Sequence, residues 1–177
     1  MQITMVMVMS VDGFVTQGED GPSFAWASEA DREVFLERLR KADAVITGRS
    51  SFVGGKDMPR PYYVLTSRAD LPKFKNVFHL KGDARSIAEC VKADGHEDVV
   101  LLGGPQTNAQ FLEAGLVDKV MLTVEPRLFG TGKPLSLGTK FNIPMRLINE
   151  KRLNEQGTLL LEYEILPLSS YRKDRTS

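Results

Sequence analysis

Asp98-Val99-Val100-Leu101-Leu102-Gly103-Gly104-Pro105-Gln106-Thr107 is the stretch on which the fold turns. Its first residues form a short apolar, β-branched run of the kind that makes a buried strand. Two glycines stop the run. Pro105 then stands at a first helical turn, where a residue without an N–H is tolerated. Gly115 supplies the helix stop.

The same strand–turn–helix unit recurs upstream. Ala44 to Thr47 is an apolar run ending in Gly48, and Arg49-Ser50-Ser51-Phe52 opens a short helix broken by Gly54-Gly55. Tyr62 to Thr66 reads as a strand with Pro61 at its start, where no ladder donor is lost. Asn76 to Leu80 is a weaker strand. Asp83 caps a helix whose apolar side is Ala84, Ile87, Ala88 and Val91.

Toward the N-terminus, residues 2–9 are apolar with little alternation, as in a central strand buried on both faces. Asp12-Gly13 and Gly18 to Pro22 are loop signals. Ser28 caps a helix that runs to Lys41, with Asp31 at the capping-box position. Toward the C-terminus, Asp118 to Val124 is a strand. A loop follows with Pro126, Gly130, Gly132, Pro134 and Gly138. Arg146 to Leu153 and Thr158 to Leu166 flank Asn154-Glu155-Gln156-Gly157 as a hairpin. Residues 167–177 read as a flexible polar tail. The expected architecture is a single α/β domain over residues 1–166. It has three αβα layers around a mostly parallel sheet, closed by a C-terminal antiparallel hairpin.

The chain has 177 residues, with 23 Lys plus Arg against 23 Asp plus Glu. That balance leaves no overall basic field for nucleic acid or an anionic membrane. The one cysteine, Cys90, excludes an internal disulfide, and His79 and His96 lack metal-ligand spacing, so no metal is expected. The apolar start, Ile3 to Val11, has no basic lead-in and runs into Asp12, unlike a secretory leader. No window approaches the ~20 apolar residues of a membrane span. A cytoplasmic location is therefore expected.

In an open parallel sheet, ligands bind beyond the carboxyl ends of the strands. Three such ends carry suitable groups. Gly48-Arg49-Ser50-Ser51 combines a glycine, a guanidinium and hydroxyls at a helix start, where an anion is favoured. Thr66-Ser67-Arg68 offers two hydroxyls and a guanidinium, a set suited to a phosphate monoester. Gly103-Gly104-Pro105-Gln106-Thr107 lets a pyrophosphate approach bare backbone. Each also fits an ordinary turn; together they fit one extended nucleotide. Asp31 shares a helical face with Phe35, Leu39 and Ala42, so it is either a cleft carboxylate or only a helix-start charge. Ser10 and Asp12 point to one side by strand alternation, toward a ligand or into an Asp-Gly turn.

These residues, in this order, resemble the superfamily shared by dihydrofolate reductase and the C-terminal reductase domain of the riboflavin-pathway deaminase-reductase. Met9-Ser10-Val11-Asp12-Gly13-Phe14 is similar to the first-strand motif of the riboflavin-type enzymes. Trp26, Asp31 and Phe35 resemble the pterin pocket of dihydrofolate reductases. Gly48-Arg49-Ser50-Ser51 and Gly103-Gly104 resemble the cofactor motifs of both. The run from Leu116-Val117-Asp118 through Glu125-Pro126 to Gly130-Thr131-Gly132 resembles the riboflavin branch. The zinc deaminase signature is absent, so a stand-alone reductase is expected. Phe14 replaces that branch's usual lysine, and Asn108 replaces a cofactor-contacting tyrosine of dihydrofolate reductases.

The resemblance implies an NADPH-dependent reductase, cytoplasmic and homodimeric. It assigns Gly48, Arg49, Ser50, Ser51, Thr66, Ser67, Arg68, Gly103, Gly104, Pro105, Gln106 and Thr107 to the cofactor. Asp31, Asp12 and Ser10 are the expected catalytic groups, and Trp26, Asp31, Phe35 and Glu125 the expected substrate contacts. The expected substrate is a small heterocycle, a ribosylaminopyrimidine phosphate, with dihydrofolate or another pterin as the alternative. An NADPH-binding module without turnover is the alternative of a different class.

Overall fold

A computed structural model describes residues 1–18, 21, 25–54, 57–68, 73–137 and 141–167. Parts of the loop expected at Gly18 to Pro22, the Gly55 helix break, Gly138 and the tail after residue 167 lie outside the described residues.

The elements in chain order are β1 (Gln2–Ser10), α1 (Glu29–Lys41), β2 (Ala44–Gly48), a one-turn 3-10 helix (Arg49–Ser51), β3 (Asp57–Leu65) and β4 (Lys75–Leu80). Then follow α2 (Ala84–Ala93), β5 (Asp98–Leu101), α3 (Pro105–Glu113), β6 (Lys119–Glu125), β7 (Met145–Arg152) and β8 (Leu159–Ile165). They form one sheet in the order β4-β3-β2-β5-β1-β6-β8-β7. The pairs from β4 across to β6 are parallel, and β8 and β7 join antiparallel.

β1 lies at the centre between two parallel neighbours, which is why both its faces are apolar. Ile3 and Met5 pack with Leu101, Phe111 and Leu122 under α2 and α3. Val6 packs with Val100, Met121 and Leu160 beneath Val34, Phe35 and Leu39 of α1. The helices therefore cover both faces and the core lies in two layers. Buried aliphatic side chains of this kind each contribute about 1.5–3 kcal/mol.

The helix starts follow their caps. Ser28 accepts the Asp31 N–H at 3.3 Å, and Asp83 accepts the Ser86 N–H at 2.8 Å. The buried face of α2 is Ala84, Ile87, Ala88 and Val91. Gly115, at φ 67°, takes the left-handed conformation that ends α3.

The third strand departs from expectation. It begins at Asp57 rather than Tyr62, with Pro59 and Pro61 inside it. Its pairing with β4 shifts register between Asp57 and Tyr62. Prolines lack the ladder donor, so the strand continues through them only as an irregular stretch.

Candidate active site

β2, β3 and β5 run parallel, so the turns that follow them leave the sheet along one edge. Register places Gly48 beside Leu65, and Ile46 beside Leu101. The first and third turns are packed on each other. Gly48 N–H donates to the Gly103 carbonyl at 2.5 Å, and the Thr47 hydroxyl donates to the same oxygen at 3.2 Å. A β-carbon on Gly48 would lie 2.5 Å from Thr107 Oγ1, and one on Gly104 would lie 2.7 Å from Ser51 Oγ. Both distances are below any real carbon contact, so a side chain at either position would displace the Thr107 or Ser51 hydroxyl that fills the space. After β3, Thr66 Oγ1 accepts the Arg68 N–H at 3.1 Å, a local hydroxyl turn.

The three turns open into one cleft of about 1490 Å³. Gly48, Arg49, Ser50 and Ser51 line it, as do Thr66, Ser67 and Arg68 and, from the third turn, Gly104 to Thr107. Gly103 stands behind this wall against Asn108 and Met7. Arg49 and Arg68 are exposed. Neither guanidinium has a partner among the described residues. Bare backbone, hydroxyls and two free cations on one wall suit an extended anionic ligand.

The remaining lining comes largely from α1. Asp31, Phe35, Leu36 and Leu39 face the cleft together with Phe52, Tyr62 and Leu102. The Asp31 carboxyl is pushed up to about 6, first by burial and then by the charge of Glu125. A hydrogen bond from the Thr123 hydroxyl opposes the rise. A carboxyl poised there can hold or release a proton near neutral pH.

Besides Gly103, four expected site residues stand outside the lining. Glu125 is 3% exposed; its Oε1 accepts the Ser28 N–H at 2.9 Å and its Oε2 accepts the Thr158 hydroxyl at 2.8 Å. Trp26 is 6% exposed and meets the Phe129 ring edge-on at 4.9 Å. Its Nε1–H has no acceptor among the described residues. Ser10 is fully buried and donates to Asp12 Oδ1 at 2.6 Å. The Asp12 carboxylate also accepts the Phe129 N–H at 3.1 Å and the Gly130 N–H at 2.7 Å. The Ser10 hydroxyl, followed by the Gly130 N–H, holds its carboxyl below the usual range.

Ser10 and Asp12 meet through the Ser10 hydroxyl, but Ser10 otherwise bonds Phe14, and Asp12 bonds the loop after β6 rather than facing the cleft. That loop and the segment after β1 form a strap. Val15 N–H donates to the Lys133 carbonyl at 2.8 Å, and Lys133 N–H donates to Thr16 Oγ1 at 2.9 Å.

Sequence reasoning passed over several lining residues: Thr16, Lys133, Gln110, Lys81 and Gly82. A signal existed for the last two. Leu80-Lys81-Gly82-Asp83 is a fourth strand end with a cation, a glycine and a helix cap. Nothing local marks the others. Among the described residues no group of His, Cys, Asp or Glu could hold a metal. No described helix is long and apolar enough to cross a membrane.

Comparisons with known proteins bear on the family and the fold. Residues 1–159 match the family described as the RibD C-terminal domain. The uncharacterized protein YwjB of Bacillus subtilis is 27% identical, over 87% of this chain and 88% of its own length. The riboflavin biosynthesis protein RibD of Mycobacterium tuberculosis is 28% identical, over 72% of this chain and 43% of its own. Among solved structures, a pyrimidine reductase-like protein of Corynebacterium diphtheriae superposes with TM-score 0.79 at 15% identity, covering 94% of this chain and 92% of that one. Dihydrofolate reductase of Enterococcus faecalis, complexed with NADP(H) and RAB-propyl, superposes with TM-score 0.70 at 20% identity, covering 94% of this chain and 97% of that one. The fold is thus of the dihydrofolate reductase type, and the chain belongs to the RibD C-terminal domain family.

Proposed function

We propose that this protein is an NADPH-dependent reductase of a small heterocycle, with a ribosylaminopyrimidine phosphate of the riboflavin-pathway type as its substrate class. One observation carries the reading: three strand-end turns converge on one cleft that also holds a carboxyl with a raised proton affinity. The family match and the pyrimidine reductase-like neighbour support the substrate class.

The residues fit the cofactor. The cradle at Gly48 and Gly104 is one that a β-carbon would fill, and Arg49 and Arg68 have no partners among the described residues. Arg49, Ser50 and Ser51 would hold phosphate at the first turn. Thr66, Ser67 and Arg68 would receive the ribose monoester, which separates NADPH from NADH. Gly104 to Thr107, at the start of α3, would receive the pyrophosphate. When bound, the cofactor supplies hydride.

The chain's own part is orientation and a proton. The apolar wall of Phe35, Leu36, Leu39 and Phe52 holds a flat ring and excludes water. Asp31 holds the proton that must reach the substrate with the hydride. Ser10 and Asp12 act one step removed, by tying down the strap that presents Thr16 and Lys133.

A second reading, dihydrofolate or another pterin, is favoured by the half-buried Asp31 beside Phe35, which suits a ring edge presenting N–H next to a ring nitrogen. Loss of nicotinamide absorbance with each substrate decides between them. Turnover of the ribosylaminopyrimidine phosphate and not of dihydropterins is the expected result. The reverse would assign the pterin, and NADPH binding without turnover of either would leave a binding module.

A further inference from the structure

Among the described residues five cations line the cleft, and they stand on different elements. Arg49, Arg68 and Lys81 follow β2, β3 and β4, on the edge given to the cofactor. Lys133 belongs to the strap. Arg32 belongs to α1, one residue beyond the cleft carboxyl, and the cofactor turns give it no task.

Helical spacing explains its position. α1 meets the cleft with two neighbouring stripes. Asp31, Phe35 and Leu39 are half-buried and form the inner one. Glu29, Arg32 and Leu36 are exposed and form the outer one, at the mouth. The other cations of α1 are placed differently. Arg38 donates to Asp98 at 3.0 Å, Lys41 pairs with Glu37 at 2.6 Å, and Arg40 does not line the cleft. The Arg32 guanidinium meets only Glu29 among the described residues. That pair is long, at 3.6 Å, and its side chains are 69% and 72% exposed. Such a surface pair contributes little and yields readily to a better anion.

The shape of the cleft directs an anion to this stripe. Past the inner stripe the lining is Val6, Val8 and Leu102 of the sheet, which is apolar. A charged group carried by a ring at Asp31 and Phe35 would lose its hydration there without compensation. Its favourable course is outward, past the exposed stripe. The planar fork of an arginine matches two oxygens of a phosphate monoester.

We propose that Arg32 holds the phosphate monoester of the substrate, which makes the cleft mouth a phosphate subsite separate from the cofactor turns. The assignment rests on the sugar-phosphate substrate of the reductase reading. On binding, the guanidinium leaves Glu29 for the phosphate oxygens. Asp31 and Arg32, adjacent in the chain, thus take the two ends of one ligand: the ring and its phosphate.

The probe is ribose 5-phosphate, titrated by calorimetry into the full chain saturated with NADP, with ribose as the control. Wild type should bind the phosphate and not ribose. Arg32→Gln should weaken this binding by about 10- to 100-fold, as loss of a charged contact does. The side chain is exposed, so the substitution leaves the core intact. With the ribosylaminopyrimidine phosphate as substrate, KM should rise by the same factor with little change in kcat. No binding by wild type, equal binding of ribose, or wild-type affinity in Arg32→Gln would overturn the proposal. So would loss of binding in Arg68→Ala with Arg32→Gln unaffected, which would put the phosphate on the cofactor turns. If no substrate turns over, the reductase reading falls, and the ribose 5-phosphate titration still decides the subsite.

Discussion

The glycine-turn edge and the Asp31 side of the same cleft are built by different means. The edge is backbone: the turns at Gly48 and Gly104 touch, and the ligand-facing groups follow each strand within a few residues. The Asp31 side is side chains gathered from afar, with Ser28 reaching Glu125 across 97 residues and Glu125 reaching Thr158 across 33. Binding geometry is thus set by local chain chemistry, and proton chemistry by tertiary packing. Substitutions on the two sides should therefore separate affinity from catalysis.

The largest effect expected is on the Asp31 side. Asp31→Asn should lower kcat by about 10²–10⁴ and leave NADPH affinity unchanged, as loss of a general acid does. It should also abolish the limb of the pH–rate profile near 6. The stability change has the opposite sign. The folded-state carboxyl is raised above its unfolded value of 3.8, so the stability this group contributes is full below that value and is lost as pH rises through about 6. Asp31→Asn should then raise Tm at pH 8 and not at pH 4, on the order of the 2–4 °C that ~1 kcal/mol gives at this size.

Gly48→Ala tests the edge. A β-carbon 2.5 Å from Thr107 Oγ1, with the Gly103 carbonyl and Gly104 nitrogen at 3.4 Å, displaces the Thr107 side chain and crowds the cradle. NADPH affinity measured by nicotinamide fluorescence should fall about 100-fold, and stability by the ~1–3 kcal/mol of an overpacked site. Unchanged affinity would show that the contact between turns does not shape the cradle. Arg68→Ala should cost about 10-fold in NADPH affinity and almost nothing in NADH affinity, the signature of one lost charged contact. Equal losses for both would move Arg68 off the monoester.

Much of this was legible before the structure because it is local. Pro105 after two glycines marked the start of α3, and Asp83 with Ala84, Ile87, Ala88 and Val91 marked both the cap and the buried face of α2. The three turns were legible for the same reason. The long strand β3 was not, because Pro59 and Pro61 are strand-breaking signals, and its first part is held only by irregular pairing with β4. Glu125 and Asp12 were marked as site residues by their place in the chain. Nothing in their neighbours shows that one carboxylate clamps a helix cap and the other a loop. Those tasks depend on partners brought together by the fold.

The smallest effect belongs to the strap. Asp12→Asn should weaken the hold on the Phe129 and Gly130 amides and speed their hydrogen exchange, with little change in NADPH affinity. The Asp12 carboxyl is lowered, so its stabilising effect is present above 3.8 and is lost as pH falls through the folded value. Wild-type exchange at these two amides should therefore quicken in acid beyond the intrinsic trend.

A crystal structure with NADP bound tests the central claim most directly. The account predicts one continuous nucleotide whose monoester meets Thr66 to Arg68 and whose pyrophosphate meets the amides at Gly104 to Thr107, with the nicotinamide ring facing Asp31. A nucleotide bound elsewhere, or one that touches a single turn and leaves the other two in solvent, would contradict it.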